Sequence, residues 1–321
     1  MTAVLVVGGA GFIGSHTCKA LKKRGFIPVV YDNLQSGHAW AVKYGPFVRA
    51  SLDDVDTLSQ AFAMHKPQAV LHFASSINVR ESVQQPGLYY RNNVSCSLNL
   101  LEAMRKHNTR HLVFSSSAAV YGLPSGPLSE DAPCSPTHPY GKSKWMVEQM
   151  IHDYEAAHGL RSVIFRYFNA AGADVGGELG EAHTPETHLI PLAIQAARLK
   201  ETLTIFGDTH ATPDGTAIRD YVHVADLAEA HVLAVEHLLA GGNSATLNLA
   251  TGRGYSVKEV VAMVEKVCKQ AVPSTIAPRN SSEPATLIAT CHQAKTLLDW
   301  SPKYTDLETM VATAHHWYSA C

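Results

Sequence analysis

The sequence predicts an α/β protein whose first part is a doubly wound parallel sheet of the Rossmann type and whose second part is a smaller domain. Short apolar runs rich in β-branched residues alternate with helical patterns over roughly the first 165 residues, which is typical of a parallel sheet covered by helices on both faces. A glycine-rich turn joins the first apolar run to the first helical pattern. Beyond this region the chain becomes loop-like and its helical patterns stand farther apart.

The individual elements follow from local patterns in chain order. Residues 4–7 are apolar and mostly β-branched, which predicts a buried strand. The helical pattern of residues 12–24 ends at Gly25, a residue typical of helix C-termini. Residues 93–107 predict a long helix with apolar side chains along one side. The further predicted strands are residues 28–31, 69–73, 112–114 and 162–166, and the further predicted helices are residues 55–65, 191–199, 225–239, 256–269 and 307–318.

The turn at residues 8–14 reads GGAGFIG and lies between the first predicted strand and the first predicted helix. It matches GxGxxG from Gly9 and GxxGxxG from Gly8. Glycines in this context let the backbone turn tightly and approach a pyrophosphate at the helix N-terminus. We therefore predict dinucleotide binding, with contacts from Gly8, Gly11, Phe12, Ile13 and Gly14.

Asp32 ends the second predicted strand. A carboxylate at this place accepts hydrogen bonds from the adenosine ribose and repels a 2′-phosphate, which favours NAD over NADP. Capping a turn is the alternative role, and it suits the following residue, Asn33, better than Asp32.

Tyr140 and Lys144 are spaced by four residues and therefore share one face of a helix. A free phenol has a pKa of about 10 and is a poor base at neutral pH. A neighbouring cation favours the phenolate, and an oxidised nicotinamide ring would add a second positive charge. Alone, such a pair is most often an ordinary solvated pair; beside a dinucleotide site it predicts a base for a sugar or alcohol hydroxyl.

Composition excludes several classes of function. The chain has 321 residues, of which 46% are hydrophobic and 17% charged, and a formal net charge of −2 without a Lys/Arg block, so we expect no nucleic-acid partner. We also expect no secretory signal and no membrane span. The 6 cysteines form no CxxC pair and predict free thiols in a reducing compartment, so a cytoplasmic enzyme is expected. The 18 histidines show no HExxH and no Cys/His cluster at zinc spacing, so no metal is predicted.

Further motifs resemble those of the extended short-chain dehydrogenase/reductase superfamily and, within it, the nucleotide-sugar 4-epimerases. The resemblance runs nearly end to end. Besides residues 8–16, it is carried by YDNL at 31–34, HFA at 72–74, YYRNNV at 89–94, SSSAAVYG at 115–122, YGKSK at 140–144, RYFNAAG at 166–172 and RDYVHV at 219–224.

The resemblance implies roles position by position. Ser117 is the hydroxyl that bridges to the sugar 4-hydroxyl, Tyr140 is the base, and Lys144 is its electrostatic partner and a ribose ligand. The other implied cofactor contacts are Asn33, Ser51, Leu52, Phe73, Ala74, Asn92 and Tyr167. The implied substrate contacts besides Ser117 are Asn169, Leu189, Phe206, Arg219 and Glu283. An arginine suits a diphosphate, and an aromatic ring can wall a uracil.

The implied activity is reversible, NAD-dependent epimerisation at C4 of a UDP-hexose. Tyr140 takes the 4-hydroxyl proton while C4 gives hydride to NAD, the 4-keto sugar turns about its diphosphate linkage, and hydride returns to the other face. UDP-glucose and UDP-galactose are the first expectation, with their N-acetyl forms and UDP-pentoses as alternatives. The resemblance also implies a homodimer with contacts through the helices near residues 93–107 and 142–157.

Two domains are expected from these motifs. Residues 1–168 form the NAD-binding domain, and a later segment at about residues 217–240 returns to it. Residues 169–321 mainly bind the UDP-sugar.

Several positions depart from the family pattern. Ser51 replaces an aspartate that binds adenine, which weakens that contact unless Asp53 or Asp54 substitutes for it. Ile77 stands where the family has a lysine near the cofactor, and Glu283 stands where it has an aspartate that binds the uridine ribose. Asn280 stands where a second arginine binds the diphosphate, a role that Arg279 could take instead. Leu287 occupies the position that limits the size of the sugar.

The sequence disfavours two other classes of protein. Sugar-nucleotide 4,6-dehydratases need an acid pair just after the catalytic hydroxyl, and Ala118 and Ala119 stand there, so dehydration is disfavoured; simple dehydrogenation remains an alternative. A non-catalytic NAD-binding regulatory protein would be expected to lack Tyr140 or Lys144, and both are present.

Overall fold

The computed structural model describes residues 1–124, 126–279 and 284–320. Its centre is a seven-stranded sheet in which all neighbouring strands are parallel. The strands are β1 (Ala3–Val7), β2 (Ile27–Asp32), β3 (Phe47–Arg49), β4 (Ala69–His72), β5 (His111–Ser115), β6 (Arg161–Tyr167), β7 (Asn169–Ala171), β8 (Leu203–Phe206), β9 (Ile218–His223), β10 (Ala245–Leu249), β11 (Gly254–Ser256), β12 (Ser274–Ala277) and β13 (Thr286–Leu287). The spatial order β10-β6-β5-β4-β1-β2-β3 confirms the predicted doubly wound sheet.

Helices cover both faces of this sheet and continue into the second half of the chain. They are α1 (Phe12–Lys23), α2 (Val55–His65), α3 (Val79–Gln84), α4 (Pro86–Tyr89), α5 (Cys96–Lys106), α6 (Pro139–His158), α7 (Leu189–Leu199), α8 (Val224–Leu239), α9 (Val257–Cys268), α10 (His292–Leu298) and α11 (Leu307–Ala320). Short 3₁₀ turns lie at Ala39–Ala41 and Ala118–Tyr121, and a π-helical turn lies at Tyr90–Ser95.

The side chains of β1 alternate between two hydrophobic cores, one on each face of the sheet. Val4 and Val6 pack with residues of α1 and α8, whereas Leu5 and Val7 pack with residues of α2, α5 and α6. All four side chains are buried. A strand covered on both faces needs no polar alternation, which explains why the first strand is a continuous apolar run.

The second half of the chain builds a separate sheet around β9. The strand β9 pairs in parallel with β7 and β13 and antiparallel with β11. The strands β8 and β12 form a two-stranded parallel sheet. A third hydrophobic core joins this region to α7, α9 and α11.

The predicted returning segment, at about residues 217–240, covers β9 and α8. The strand β9 pairs within the second sheet, while α8 packs on the first sheet and β10 extends that sheet beside β6. The division of the chain at residue 168 and the bounds of the returning segment stay predictions.

The long helix predicted at residues 93–107 begins instead as a π-helical turn that continues into α5. The buried Asn93 lies in this π-helical turn, and hydrogen bonds hold its side chain. Its Nδ2 donates to the carbonyl oxygen of Ser76 at 3.0 Å and to Oγ of Ser143 at 2.9 Å, and its Oδ1 accepts from the backbone N–H of Ser76 at 2.8 Å. Such π turns are frequent at functional sites.

Two further global features concern membranes and thiols. Across the described ranges, none of the helices combines the length and apolar character needed to cross a bilayer. Cys18, Cys96, Cys134, Cys268 and Cys291 are free thiols.

A buried ion pair joins β6 to α6. Nη2 of Arg166 lies 2.6 Å from Oε2 of Glu148, and the two side chains are only 6% and 0% exposed. The hydroxyl of Ser116 also donates to Glu148. Removing one member of such a pair leaves a buried charge without its partner.

We predict that Arg166→Leu destabilises the fold by about 3–5 kcal/mol, because it strands the Glu148 carboxylate in the interior. Arg105→Ala is the matched control, since its pair with Glu102 is exposed, and its loss of stability should be far smaller than that of Arg166→Leu. Urea unfolding followed by circular dichroism, at equal cofactor loading, measures both changes. Equal losses in the two variants would contradict the prediction.

Candidate active site

The glycine-rich turn lies between β1 and α1 and packs tightly against itself and the next strand. Gly8 adopts a φ of +81°, and a Cβ built on it would lie 2.6 Å from the backbone nitrogen of Ala74. A Cβ built on Gly14 would lie 2.2 Å from the carbonyl oxygen of Gly8. Gly11 is the N-cap of α1 and has no side chain to cover the first turn. Phe12 and Ile13 begin the helix, so this turn fits a pyrophosphate at a helix N-terminus.

Asp32 connects this turn to the end of β2. Its Oδ2 accepts the backbone N–H of Ala10 at 3.0 Å, and its Oδ1 accepts that of Leu34 at 2.8 Å. Burial raises the pKa of Asp32. Asn33 is exposed and accepts the backbone N–H of Gln35 at 2.9 Å. Both side chains thus cap the loop, a role that the sequence favoured for Asn33 over Asp32, and the oxygens of Asp32 keep lone pairs for a ribose hydroxyl.

Ser51 and Leu52 follow β3 at the same edge of the sheet. The hydroxyl of Tyr31 donates to the carbonyl oxygen of Ser51 at 2.8 Å, and Nδ2 of Asn99 donates to that of Leu52 at 3.0 Å. Leu52 is buried. These contacts fix the backbone at the place where the sequence predicts an adenine site.

Phe73, Ala74 and Asn92 lie beyond the end of β4. The backbone N–H groups of Phe73 and Ala74 donate to the carbonyl oxygen of Val7 at 2.8 and 3.2 Å. Nδ2 of Asn92 donates to Oγ of Ser76 at 3.0 Å. The predicted cofactor residues therefore follow β1, β2, β3 and β4 along one carboxyl edge, which is where ligands bind in open α/β sheets.

Ser117, Tyr140 and Lys144 meet at this edge, beyond β5. Ser117 caps the 3₁₀ turn, and its Oγ accepts the backbone N–H of Ala119 at 3.1 Å. Tyr140 and Lys144 lie in the first turns of α6. Nζ of Lys144 donates to the carbonyl oxygen of Ser115 at 2.7 Å, and the side chain is buried. The side chain of Ser117 acts on Tyr140 and favours a lower pKa of its phenol.

Burial controls the protonation of this pair. It raises the pKa of Tyr140, and the interaction with Ser117 offsets only part of that rise. Burial also lowers the pKa of Lys144 to about 7, while the Glu148 carboxylate acts in the opposite direction. Desolvation thus disfavours the charged form of both groups in the protein alone, and the lowering of the phenol pKa that the sequence predicts beside two positive charges stays a prediction.

Aromatic side chains surround the phenol. The ring of His138 stacks parallel to Tyr140 with centroids 6.1 Å apart, and Tyr89 meets it edge-on at 6.5 Å. The Tyr167 hydroxyl is hydrogen-bonded to Oγ of Ser115, and burial raises the pKa of Tyr167. His138 was missed by sequence reasoning, although its place just before Pro139 marks it as the N-cap of α6.

Two predicted substrate residues lie on the second sheet. Nδ2 of Asn169 donates to the carbonyl oxygen of Asp220 at 3.3 Å, which holds β7 beside β9. Arg219 lies in β9 opposite Tyr255 and Leu287. Leu287, the predicted gate, also packs on the core that contains Ala118.

The other substrate predictions lie on separate elements. Leu189 begins α7, and Phe206 ends β8 with 39% of its surface exposed. The guanidinium of Arg80 lies 3.7 Å from the centroid of the Phe206 ring. Sequence reasoning missed Arg80, since nothing in the pattern around α3 indicates a contact across to β8. Glu283 and Asn280 lie outside the described residues.

Arg279, the predicted substitute for the arginine expected at position 280, lies beside Gly207, the residue after Phe206. A Cβ built on Gly207 would lie 2.4 Å from Cβ of Arg279. Ile77 is 41% exposed at the place where the pattern has a lysine. Arg80 therefore contacts the ring of the aromatic residue predicted to hold the uracil, and Arg279 lies next to the residue that follows it.

These features define a Rossmann-type dinucleotide-binding protein with a serine, a tyrosine and a buried lysine at the carboxyl edge of its sheet. The chain belongs to the NAD dependent epimerase/dehydratase family, whose sequence profile matches residues 4–250.

Individual relatives match nearly the whole chain. The UDP-glucose 4-epimerase of Rhizobium meliloti is 49% identical over 318 residues, which is 98% of this chain and 97% of the relative. The crystal structure of UDP-glucose 4-epimerase from Brucella ovis in complex with NAD is 49% identical with a TM-score of 0.96, covering 99% of this chain and 98% of that one. The UDP-glucose 4-epimerase of Bifidobacterium longum in complex with NAD+ and UDP is 35% identical with a TM-score of 0.94, covering 99% and 98%.

We predict that Gly14→Ala abolishes tight NAD binding, because the new methyl group would meet the carbonyl oxygen of Gly8 at 2.2 Å and force the turn open. Gly87→Ala is the matched control, since nothing lies within 4 Å of its Cβ position in α4. The control should bind NAD normally and gain up to about 1 kcal/mol of stability. Isothermal titration calorimetry with cofactor-stripped protein measures the affinity, and an unchanged Kd for Gly14→Ala would contradict the structure of the turn.

Proposed function

We propose that the chain catalyses the reversible, NAD-dependent epimerisation at C4 of UDP-glucose and UDP-galactose through a 4-keto intermediate. The observation that carries the proposal is the placement of Tyr140 and buried Lys144 on one face of α6, where Nζ of Lys144 donates to the carbonyl oxygen of Ser115 beside Ser117, at the same sheet edge as a dinucleotide turn. Ala118 and Ala119 follow Ser117 and have no group that transfers protons, so the site lacks the acid pair that dehydration needs. The near full-length similarity to UDP-glucose 4-epimerases supports the same reading.

Proton transfer is the work of the protein. Ser117 and Tyr140 bridge the 4-hydroxyl of the sugar, so that Tyr140 accepts its proton as the C–H bond at C4 breaks and returns it when the bond forms again. NAD, when bound, accepts the hydride from C4 and returns it, so the reaction has no net redox change. Lys144 orients this edge through its hydrogen bond to Ser115 and adds positive charge when protonated.

The cofactor fits the residues that would hold it. We assign the pyrophosphate to Gly8, Gly11, Phe12, Ile13 and Gly14, the adenosine to Asp32, Asn33, Ser51 and Leu52, and the remainder to Phe73, Ala74, Asn92, Tyr140, Lys144 and Tyr167. The crowded positions of Gly8 and Gly14 support this assignment, since a side chain at either would fill the turn.

We assign the UDP part of the substrate to Asn169, Leu189, Phe206, Arg219 and Glu283. Phe206 is partly exposed, so its ring can pack against a uracil. Arg219 lies in β9, and its guanidinium suits a diphosphate. Holding the nucleotide while the keto sugar turns about the diphosphate linkage lets either face of C4 meet the cofactor. Leu287, packed against the Ser117 turn, is the residue best placed to limit the size of the sugar.

The experiment that tests the function is proton NMR of the protein incubated with UDP-glucose without added reductant. We expect UDP-galactose to appear and no NADH to accumulate with sugar consumed. Accumulation of free NADH in proportion to sugar would indicate dehydrogenation instead. The same assay with N-acetyl and pentose forms decides which sugar is preferred, and no reaction with any of them would indicate a non-catalytic protein.

We predict that Tyr140→Phe lowers kcat by about 10²–10⁴-fold, because it removes the proton acceptor. Tyr154→Phe is the matched control on the same helix, where the hydroxyl donates to Glu102 at the surface, and it should change kcat little. Calorimetry should show unchanged UDP affinity in both variants. A loss below tenfold in Tyr140→Phe would remove it from the mechanism.

We also propose a homodimer that forms through α5 and α6. Leu98 and Met146 on these helices are apolar yet 44% and 43% exposed, which supports an interface between copies. Light scattering of the purified protein checks the mass, and a wild-type monomer would contradict the proposal.

The free thiols support a reducing compartment, so we also propose that the protein lies in the cytoplasm. Recovery in a secreted or membrane fraction would contradict that.

A further inference from the structure

Four side chains with metal-binding groups lie together in the segment between β7 and α7. They are Glu181, His183, Glu186 and His188, and their ligand atoms all lie within 4.8 Å of one another. Nδ1 of His183 is 3.1 Å from Oε1 of Glu181 and 3.7 Å from Oε1 of Glu186. Nδ1 of His188 is 3.5 Å from the same Glu186 oxygen and contacts Glu181 directly. The sequence did not predict this cluster, since its spacing matches neither HExxH nor a Cys/His motif.

These separations suit a tetrahedral ion. Bonds of about 2.0–2.2 Å from Zn²⁺ to imidazole nitrogen and carboxylate oxygen place the ligand atoms roughly 3.3–3.6 Å apart. Three of the four separations, 3.1, 3.5 and 3.7 Å, bracket that range, whereas Nδ1 of His188 and Oε1 of Glu181 are in direct hydrogen-bond contact and must move apart to share an ion. Both histidines present the same ring nitrogen to the carboxylates, so this side-chain adjustment would let one ion contact all four side chains.

Two buried atoms of the cluster point to a ligand. Within the described parts of the chain, Nδ1 of His183 and Oε2 of Glu186 are buried and make no hydrogen bond. His183 Nδ1 lies 3.1 Å from a carboxylate oxygen, so its direction and not its distance prevents the bond. The Glu186 side chain is only 10% exposed. Buried polar atoms are nearly always satisfied in native proteins, and a metal ion would satisfy these.

Further hydrogen bonds hold two members of the cluster, Glu181 and Glu186, in place. Nε1 of Trp317 donates to the carbonyl oxygen of Glu181 at 3.0 Å. Oε1 of Glu186 accepts the backbone N–H groups of Thr187 and His188 at 2.7 and 2.9 Å. Supporting hydrogen bonds of this kind orient the ligands of metal sites.

The cluster lies between the two binding regions. His183 lines a small cavity together with Gly11 and Phe12 of the glycine-rich turn. His188 directly precedes Leu189, the first residue of α7. An ion held here would therefore connect the cofactor turn to the helix that begins the substrate region.

We propose that Glu181, His183, Glu186 and His188 bind one divalent transition-metal ion, with Zn²⁺ the best match, and that the ion fixes this segment. Two imidazole nitrogens and two carboxylate oxygens suit Zn²⁺ and its first-row neighbours, whereas Mg²⁺ and Ca²⁺ prefer oxygen ligands alone. None of the four residues belongs to the Ser117, Tyr140 and Lys144 group, so the site stands or falls independently of the proposed reaction.

The test uses untagged, full-length protein dialysed against a chelator. ZnCl₂ is titrated in competition with a chromophoric chelator, and the thermal midpoint is measured with and without the ion. We expect one equivalent of Zn²⁺ per chain and a thermal midpoint several degrees higher with the ion. The double variant His183→Gln/Glu186→Gln should lose at least tenfold in affinity and the thermal shift.

The matched control is His315→Gln/His316→Gln, which also removes neighbouring histidines but from α11, and it should keep one equivalent. Absence of binding by the wild-type protein overturns the proposal, and so does equal binding by the cluster variant. A thermal midpoint that follows pH but not Zn²⁺ also overturns it, because the cluster would then be a set of ion pairs only.

Discussion

The whole site depends on burying a phenol and an amine side by side at the carboxyl edge of a parallel sheet. Burial raises the pKa of Tyr140 and lowers that of Lys144 to about 7, so desolvation favours the neutral form of each. Tyr140, Lys144 and Glu148 are spaced by four residues on α6 and share one face. Glu148 favours the charged form of Lys144, and Arg166 pairs with Glu148. The helix α6 thus places Lys144 and Glu148, and through Glu148 also Arg166, next to the phenol that we propose as the proton acceptor.

The sheet explains why the cofactor and substrate regions meet at this phenol. Parallel strands bring the ends of β1, β2, β4 and β5 to one edge, where the glycine turn, Asp32, Phe73 and Ser117 follow them. The chain then leaves the first sheet after β6, builds β7 and β9 beside it, and returns through α8 and β10. This path places Asn169 on β7 and Arg219 on β9, so residues proposed for the UDP part lie on the second sheet, while those proposed for NAD follow the strands of the first.

Sequence patterns predicted the parts of the fold that have strong local signals. The signal is a continuous apolar run at β1, a helical apolar period at Val55–His65 and closely spaced glycines in the turn at residues 8–14. The short strands β3, β7 and β13 could not be predicted, because two or three residues show no period and their pairing is with distant segments. The rise in the pKa of Tyr140 in the protein without cofactor was not predicted, since burial is not visible in a spacing. The contact of Arg80 with Phe206 and the cluster at Glu181 depend on tertiary packing in the same way.

We infer that Tyr140 becomes a base only when a positive charge joins it in the buried site. The direct measurement is a carbon-13 NMR titration of the tyrosine ring carbons in cofactor-stripped, NAD⁺-loaded and NADH-loaded protein, with Tyr140→Phe used to assign the signal. We expect a Tyr140 pKa above the ordinary value of about 10 without cofactor or with NADH, and below it with NAD⁺. The same pKa in all three states, or one already below the ordinary value in the stripped protein, would contradict it.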